Sequence, residues 1–141
     1  MPNLSIQAAP APPRLEVVIA EGLPLVRALL RDLLTAQPGV ALVAEVTVVS
    51  ELLAHTHRLA PDLVLMDWAL GGLDVLQALR ALDPAPAVIV LLAGADPEYS
   101  IAVLAHGGAA CLPREHLHRV LPPALLQVMA ACGKGVLHAG P

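Results

Sequence analysis

Asp67 closes the apolar run Leu63-Val64-Leu65-Met66, so its carboxylate leaves a hydrophobic strand at the strand's carboxyl end. In an open parallel sheet that edge is where ligands bind. The same rule applied to the other β-branched runs selects Glu21 and Gly22, Trp68 and Ala69, Leu92 and Ala93, and Arg114. Two carboxylates and one cation therefore converge on one edge. Oxygen ligands of this kind suit Mg²⁺, which keeps several waters beside one or two carboxylates. A carboxylate held against such a metal can attack phosphorus and form an aspartyl phosphate. The plain alternative is a solvated aspartate at a strand end.

The elements that must position these groups follow from periodicity. From Arg14 on, short β-branched runs alternate with longer stretches of helical period, five times over, which is the pattern of an α/β domain with a parallel sheet. Strands are expected at Glu16 to Ala20, Ala41 to Val46, Asp62 to Met66, Ala87 to Leu91 and Ala109 to Leu112. A first helix should begin at Pro24, which loses nothing by lacking an N–H in a first turn, and end before Pro38 and Gly39. Val26, Leu29, Leu30, Leu33 and Leu34 give it a wide apolar stripe. Ser50 is the expected N-cap of a second helix ending at Leu59, Gly72 to Asp74 open a third that runs to Leu82, and Pro97 starts a fourth that stops before Gly107. Pro122 and Pro123 are expected to start a fifth, ending at Gly133. The domain thus spans residues 14–133, with an Ala/Pro-rich disordered arm over 1–13 and a tail over 134–141.

Composition narrows the function. The 141 residues suit one core. Hydrophobic residues make up 57%, charged residues 14% and mean hydropathy is +0.71, which excludes disorder and leaves apolar side chains on the surface, so self-association is expected. A net charge of -4 without a basic cluster argues against direct nucleic-acid binding, and the near absence of aromatics removes stacking platforms for bases. The longest stretch free of charged residues, Tyr99 to Pro113, is too short and too glycine-broken to span a membrane. With no basic, apolar leader at the start and no paired-cysteine motif, the cytoplasm is the expected compartment.

Three segments carry a resemblance to a known family. Pro24 to Arg27 (PLVR), Ala60 to Asp67 (APDLVLMD) and Gly72 to Leu91 (GLDVLQALRALDPAPAVIVL) resemble the receiver domain of bacterial two-component response regulators, of the NarL/FixJ type, over about Arg14 to Gly133. The resemblance implies a CheY-like, flavodoxin-like fold: a five-stranded parallel sheet with helices on both faces. It also implies that Asp67 is the phosphoacceptor, that Glu21, Asp67 and the Ala69 carbonyl form the metal shell, and that Arg114 contacts the phosphoryl group.

Several family positions are altered. The second residue of the family's acidic pair falls on Gly22, which supplies no ligand, so weak Mg²⁺ binding is expected. Its hydroxyl residue after the fourth strand falls on Leu92, which cannot donate to a phosphoryl oxygen. Its lysine falls on Arg114, which keeps the charge in a different shape. Its aromatic switch residue falls on Cys111, which has no comparable lever. A phosphoryl site works as a unit of metal, donor and cation, so these changes compound into a degenerate receiver.

Other residue types lead nowhere stronger. His55 and His57, and His116 and His118, are two apart, a spacing that shares a face only in a strand, and they fall in expected helix and loop, so surface histidines are expected. Cys111 and Cys132 are expected in the core; a redox role would need an exposed low-pKa thiol, for which Arg114 near Cys111 is the only hint. The leading reading is a non-enzymatic signalling module that binds a sensor histidine kinase or other signalling protein and pairs as a homodimer. The fourth helix (Ile101, Val103, Leu104) and the fifth (Leu125, Val128, Met129) are the expected contacts. A second reading is the input half of a NarL/FixJ-like DNA-binding transcription regulator, with GKGVLHAGP as the start of a linker. A third, a flavodoxin-like cofactor binder or enzyme, suffers from the lack of a glycine-rich loop: the first turn, EGLPLVR, offers Gly22 alone.

Overall fold

The computed structural model describes residues 13–94 and 96–134. The expected arm and tail fall outside them, apart from Pro13 and Lys134. Five strands, β1 (Leu15–Ala20), β2 (Val40–Val46), β3 (Leu63–Asp67), β4 (Ala87–Leu92) and β5 (Ala110–Pro113), form one parallel sheet in the order β2-β1-β3-β4-β5. Helices α1 (Pro24–Ala36), α2 (Val49–Leu59), α3 (Gly72–Arg80), α4 (Pro97–Ala105) and α5 (Leu117–Cys132) connect and follow them. The expected fold class is therefore observed.

The apolar strands bury both faces, each side chain alternating with its neighbour. On one face Leu15, Val17 and Ile19 of β1, Leu63 and Leu65 of β3, and Ile89 and Leu91 of β4 pack with Leu30 and Leu34 of α1 and with α5. On the other, Val18 and Ala20, Val64 and Met66, and Val88, Val90 and Leu92 pack with Leu52 of α2, with Val75, Leu76 and Leu79 of α3, and with Val103 of α4. The stripe expected on α1 is largely inward, although Leu29 stands at its margin and Leu25 lies in solvent.

Helix ends differ from expectation where local signals compete with packing. The second helix begins at Val49 with Val48 as its uncapped N-cap, so Ser50 lies inside the first turn and its hydroxyl is not the cap. The third ends at Arg80, two residues short of Leu82. The largest difference is α5, which begins at Leu117 and carries Pro122 and Pro123 inside it. Each interior proline removes a helix hydrogen bond and crowds a carbonyl, a cost of about 3 kcal/mol in an ordinary helix. Leu117, Leu121 and Leu125 recur one turn apart, and all three are buried against the sheet. Burial of a leucine stabilises by roughly 1.5–3 kcal/mol, so the additional turn is held by its contacts with the core.

The same packing corrects the expected association surface. Leu125, Val128 and Met129 are core residues, as is Val103, and are not available to a second copy. Cys132 is exposed, because α5 runs past the amino ends of β4 and β5 and leaves a groove of about 190 Å³ there, and Cys111 is half-buried. Burial pushes both thiols above their ordinary range, which leaves no low-pKa thiol for redox chemistry.

Candidate functional site

The two-residue period of the strands brings the charged groups together. Ala20 stands opposite Met66 in the β1–β3 ladder, so Glu21, the next residue, is level with Asp67 at the carboxyl edge. On the far side of β4, Arg114 follows directly on β5. Glu21, Asp67 and Arg114 share the parity of the residues that face α1 and α5.

Glu21 is 0% exposed. Its Oε2 accepts from the Leu23 N–H at 3.0 Å and from Arg114 Nη2 at 3.3 Å, while its Oε1 is buried without a partner. Arg114 Nη1 also lies 3.8 Å from Asp67 Oδ1, so one guanidinium spans the two carboxylates. Asp67 is 7% exposed, and its Oδ1 accepts from the Ala69 N–H at 3.3 Å, which caps a short 3-10 turn over Trp68–Leu70. Arg27 donates from Nη1 to the Glu21 carbonyl at 3.0 Å and approaches Glu45 at 3.6 Å. Next to Arg114, Glu115 accepts from the Gly94 N–H at 2.9 Å and ties the turn before α5 to the loop after β4.

A cavity of about 180 Å³ opens over Asp67 and is lined by Trp68, Ala69, Leu92, Ala93, Tyr99 and Arg114. Leu92 is buried at its wall. Gly22 lies beside Glu21 with open space around the position of a Cβ. The sequence reading missed Tyr99, whose ring sits 6.1 Å from that of Trp68 at a tilt of 52°. The available signal was composition: these are the chain's only two aromatic residues, and both sit at one cavity. The four paired histidines lie outside this site, His55 and His57 on α2, His116 and His118 around the start of α5, and among the described residues no group of three His, Cys, Asp or Glu could hold a metal.

Burial pushes the Glu21 carboxyl above the ordinary carboxylate range, and the Asp67 charge adds to the shift; the Leu23 N–H, Arg114 and Arg27 oppose it. A carboxyl whose folded pKa is raised holds its proton more tightly in the folded state than in the unfolded one. Its contribution to stability is therefore full below the ordinary carboxyl pKa and is lost as pH rises through the folded value. In EDTA, urea unfolding of the wild type and Glu21→Gln should show the wild type losing stability relative to the variant as pH rises above the ordinary carboxyl range. A difference that stays flat, or moves the other way, contradicts this account of Glu21.

The fold is that of a known family. Residues 17–121 match the response regulator receiver domain family. The chain belongs to that family. It is 32% identical over 123 residues to the nitrate/nitrite response regulator protein NarP of Escherichia coli, covering 85% of this chain and 55% of NarP. It is 34% identical over 104 residues to protein-glutamate methylesterase/protein-glutamine glutaminase 4 of Myxococcus xanthus, covering 71% of this chain and 30% of that protein. The chain thus spans from about a third to about half the length of these curated relatives. Among solved structures, the receiver domain of the response regulator NarL of Mycobacterium tuberculosis superposes with a TM-score of 0.75 at 24% identity, covering 82% of this chain and 96% of that one. The RcsB–DNA complex gives 0.77 at 21%, covering 84% and 64%. This is a receiver domain of two-component response regulators, a family that generally binds Mg²⁺ at its phosphorylation site and interacts with histidine kinases. No helix among the described residues is long and apolar enough to cross a membrane.

Proposed function

We propose that this domain is a degenerate, or pseudo-, receiver: it keeps the receiver scaffold and the candidate phosphoacceptor Asp67, but signals through protein–protein contacts that do not depend on efficient phosphorylation. The observation that carries this reading is the make-up of the cavity over Asp67. An apolar Leu92 lines it where a hydrogen-bond donor is needed, and Gly22 leaves the neighbouring acidic position empty. Phosphoryl transfer depends on donors and cations aimed at the transferring group, so a missing donor and a missing metal ligand compound.

The donor set fits a hard divalent cation in kind. Glu21 has a buried oxygen without a partner, Asp67 supplies a second carboxylate, and the Ala69 carbonyl is a third oxygen. Mg²⁺ held there would neutralise charge on a phosphoryl group, and Arg114 is the residue placed to contact that group. With one carboxylate fewer than the family uses, binding is weak. Cys111 in place of the aromatic switch residue leaves β5 without a ring to reorient. The domain works in the cytoplasm with a histidine kinase or another signalling protein as its partner, and pairs with a second copy. The surfaces that suit such contacts are Ile101 with Leu104 on α4 and Leu25 with Leu29 on α1, all exposed apolar residues.

Incubation with a small-molecule phosphodonor and Mg²⁺, followed by intact-mass measurement, tests the reading. The wild type should stay almost wholly unmodified under conditions that label an active receiver to completion, and Asp67→Asn should look the same. Stoichiometric labelling of the wild type, lost in Asp67→Asn, overturns it. The alternative, the input half of a DNA-binding transcription regulator, is favoured by one observation: the NarP match covers most of this chain but 55% of NarP. The two readings are compatible, because a degenerate receiver can serve as the input half of such a regulator.

A further inference from the structure

We propose that Arg114 is the resident cation of the acidic pocket: its guanidinium occupies the charge position between Glu21 and Asp67 and holds a divalent ion out. This rests on the pseudo-receiver reading and adds the residue that enforces it. Three observations carry it. Arg114 reaches both carboxylates, at 3.3 Å to Glu21 Oε2 and 3.8 Å to Asp67 Oδ1. Glu21 is fully buried, and a buried carboxylate needs a compensating charge; among the described residues the guanidinium of Arg114 is the one that touches its side-chain oxygens. Finally, Gly22 supplies no carboxylate, so the pocket holds two negative charges, one of which Arg114 already balances.

The shape of the residue matters as much as its charge. A guanidinium is a rigid fork whose separate nitrogens can serve two acceptors at once, whereas an ammonium is a single point charge on a flexible stem. The neighbouring Glu115 side chain accepts from the Gly94 N–H and ties the turn that carries Arg114 to the loop after β4. Removing the guanidinium leaves behind a buried Glu21 Oε1 that already lacks a partner, together with Oε2 and Asp67, a ready set of hard oxygen ligands.

The pocket should consequently gain cation affinity when a cation-bearing residue is conservatively neutralised. Mg²⁺ titration followed by Trp68 fluorescence, with thermal melting in EDTA and in Mg²⁺ as a second readout, tests this on the wild type, Arg114→Gln, Arg114→Lys and Arg27→Gln. Arg114→Gln should bind Mg²⁺ about tenfold more tightly than the wild type or better, and its melting temperature should become Mg²⁺-dependent while that of the wild type changes little. Arg114→Lys, which keeps the charge and protects the fold, should fall between the two. Arg27→Gln removes a nearby positive charge that bonds the Glu21 carbonyl and not its carboxylate, and should change affinity less than threefold.

Unchanged or weaker Mg²⁺ binding in both Arg114 variants overturns the proposal, as does equal tightening by Arg27→Gln, which would make net charge and not occupancy the cause. The phosphodonor experiment is separate from these outcomes. Efficient labelling of the wild type removes the pseudo-receiver reading even if Arg114→Gln tightens, and an unlabelled wild type with no tightening removes the role of Arg114 alone.

Discussion

Gly22→Asp combined with Leu92→Thr is expected to raise the rate at which a small-molecule phosphodonor labels Asp67 by about 100-fold or more. Removing one pre-aimed donor from a site where charge develops typically costs a factor of 10²–10³, and restoring one should return a comparable factor. Space permits the first change, since nothing lies within 4 Å of a Cβ at position 22. The second places a hydroxyl where Leu92 now lines the cavity beside Asp67 and Arg114. It also removes a buried leucine side chain, a stability cost of roughly 2–4 kcal/mol that should appear in the melting curve and not in the chemistry. Each single substitution should give less than the square root of the combined gain, because the parts act as a unit. Intact-mass time courses measure this directly. An unchanged rate in a folded double variant would place the defect elsewhere in the pocket, with Arg114 the first residue to change next.

Val128→Glu is expected to unfold the domain, with a loss of about 4 kcal/mol or more, because it puts an unpaired charge into the core between α5 and the sheet. Circular dichroism and sedimentation equilibrium together separate this from loss of a dimer contact. A folded, monomeric Val128→Glu would show that the α5 packing is wrong and that this residue faces a second copy. Leu126→Glu, on the exposed side of α5, should leave the melting transition nearly unchanged and serves as the surface control.

Much of this architecture is legible in the sequence, and the reason is physical. Buried parallel strands must be nearly all apolar, so LEVVIA, LVLMD and AVIVLL stand out from their surroundings, and each ends at the edge where chemistry collects. Pro24 marked the start of α1 because its missing N–H is harmless there. Pro122 and Pro123 carry the same first-turn signal, but Leu117, Leu121 and Leu125 repeat at one turn, and tertiary burial outweighs the local preference.

At the site, identity and position were readable but pairing was not. The sequence places Glu21, Asp67 and Arg114 at strand ends, yet the contact of Arg114 with Glu21 joins residues 93 apart and depends on the strand order, which places β3 between β1 and β4. Tyr99 belongs to the same class of omission. It lies in the first turn of α4, and only the packing of that helix beside β4 and β5 sets its ring against Trp68. The division of α5 between core and solvent also required the structure, because in a chain that is 57% hydrophobic the apolar pattern alone does not separate buried from exposed leucines.

In the pseudo-receiver reading, the Asp67 pocket does not efficiently accept and read a phosphoryl group. Titration of the ¹⁵N-labelled domain with Mg²⁺ and beryllofluoride, a stable mimic of the aspartyl phosphate, tests it at single residues. The account predicts no saturable shift of the Asp67, Ala69, Leu92 and Gly94 amides at millimolar beryllofluoride, and no change at α4 or β5. Saturable shifts at Asp67 and Leu92 that spread to α4 and β5 would contradict it.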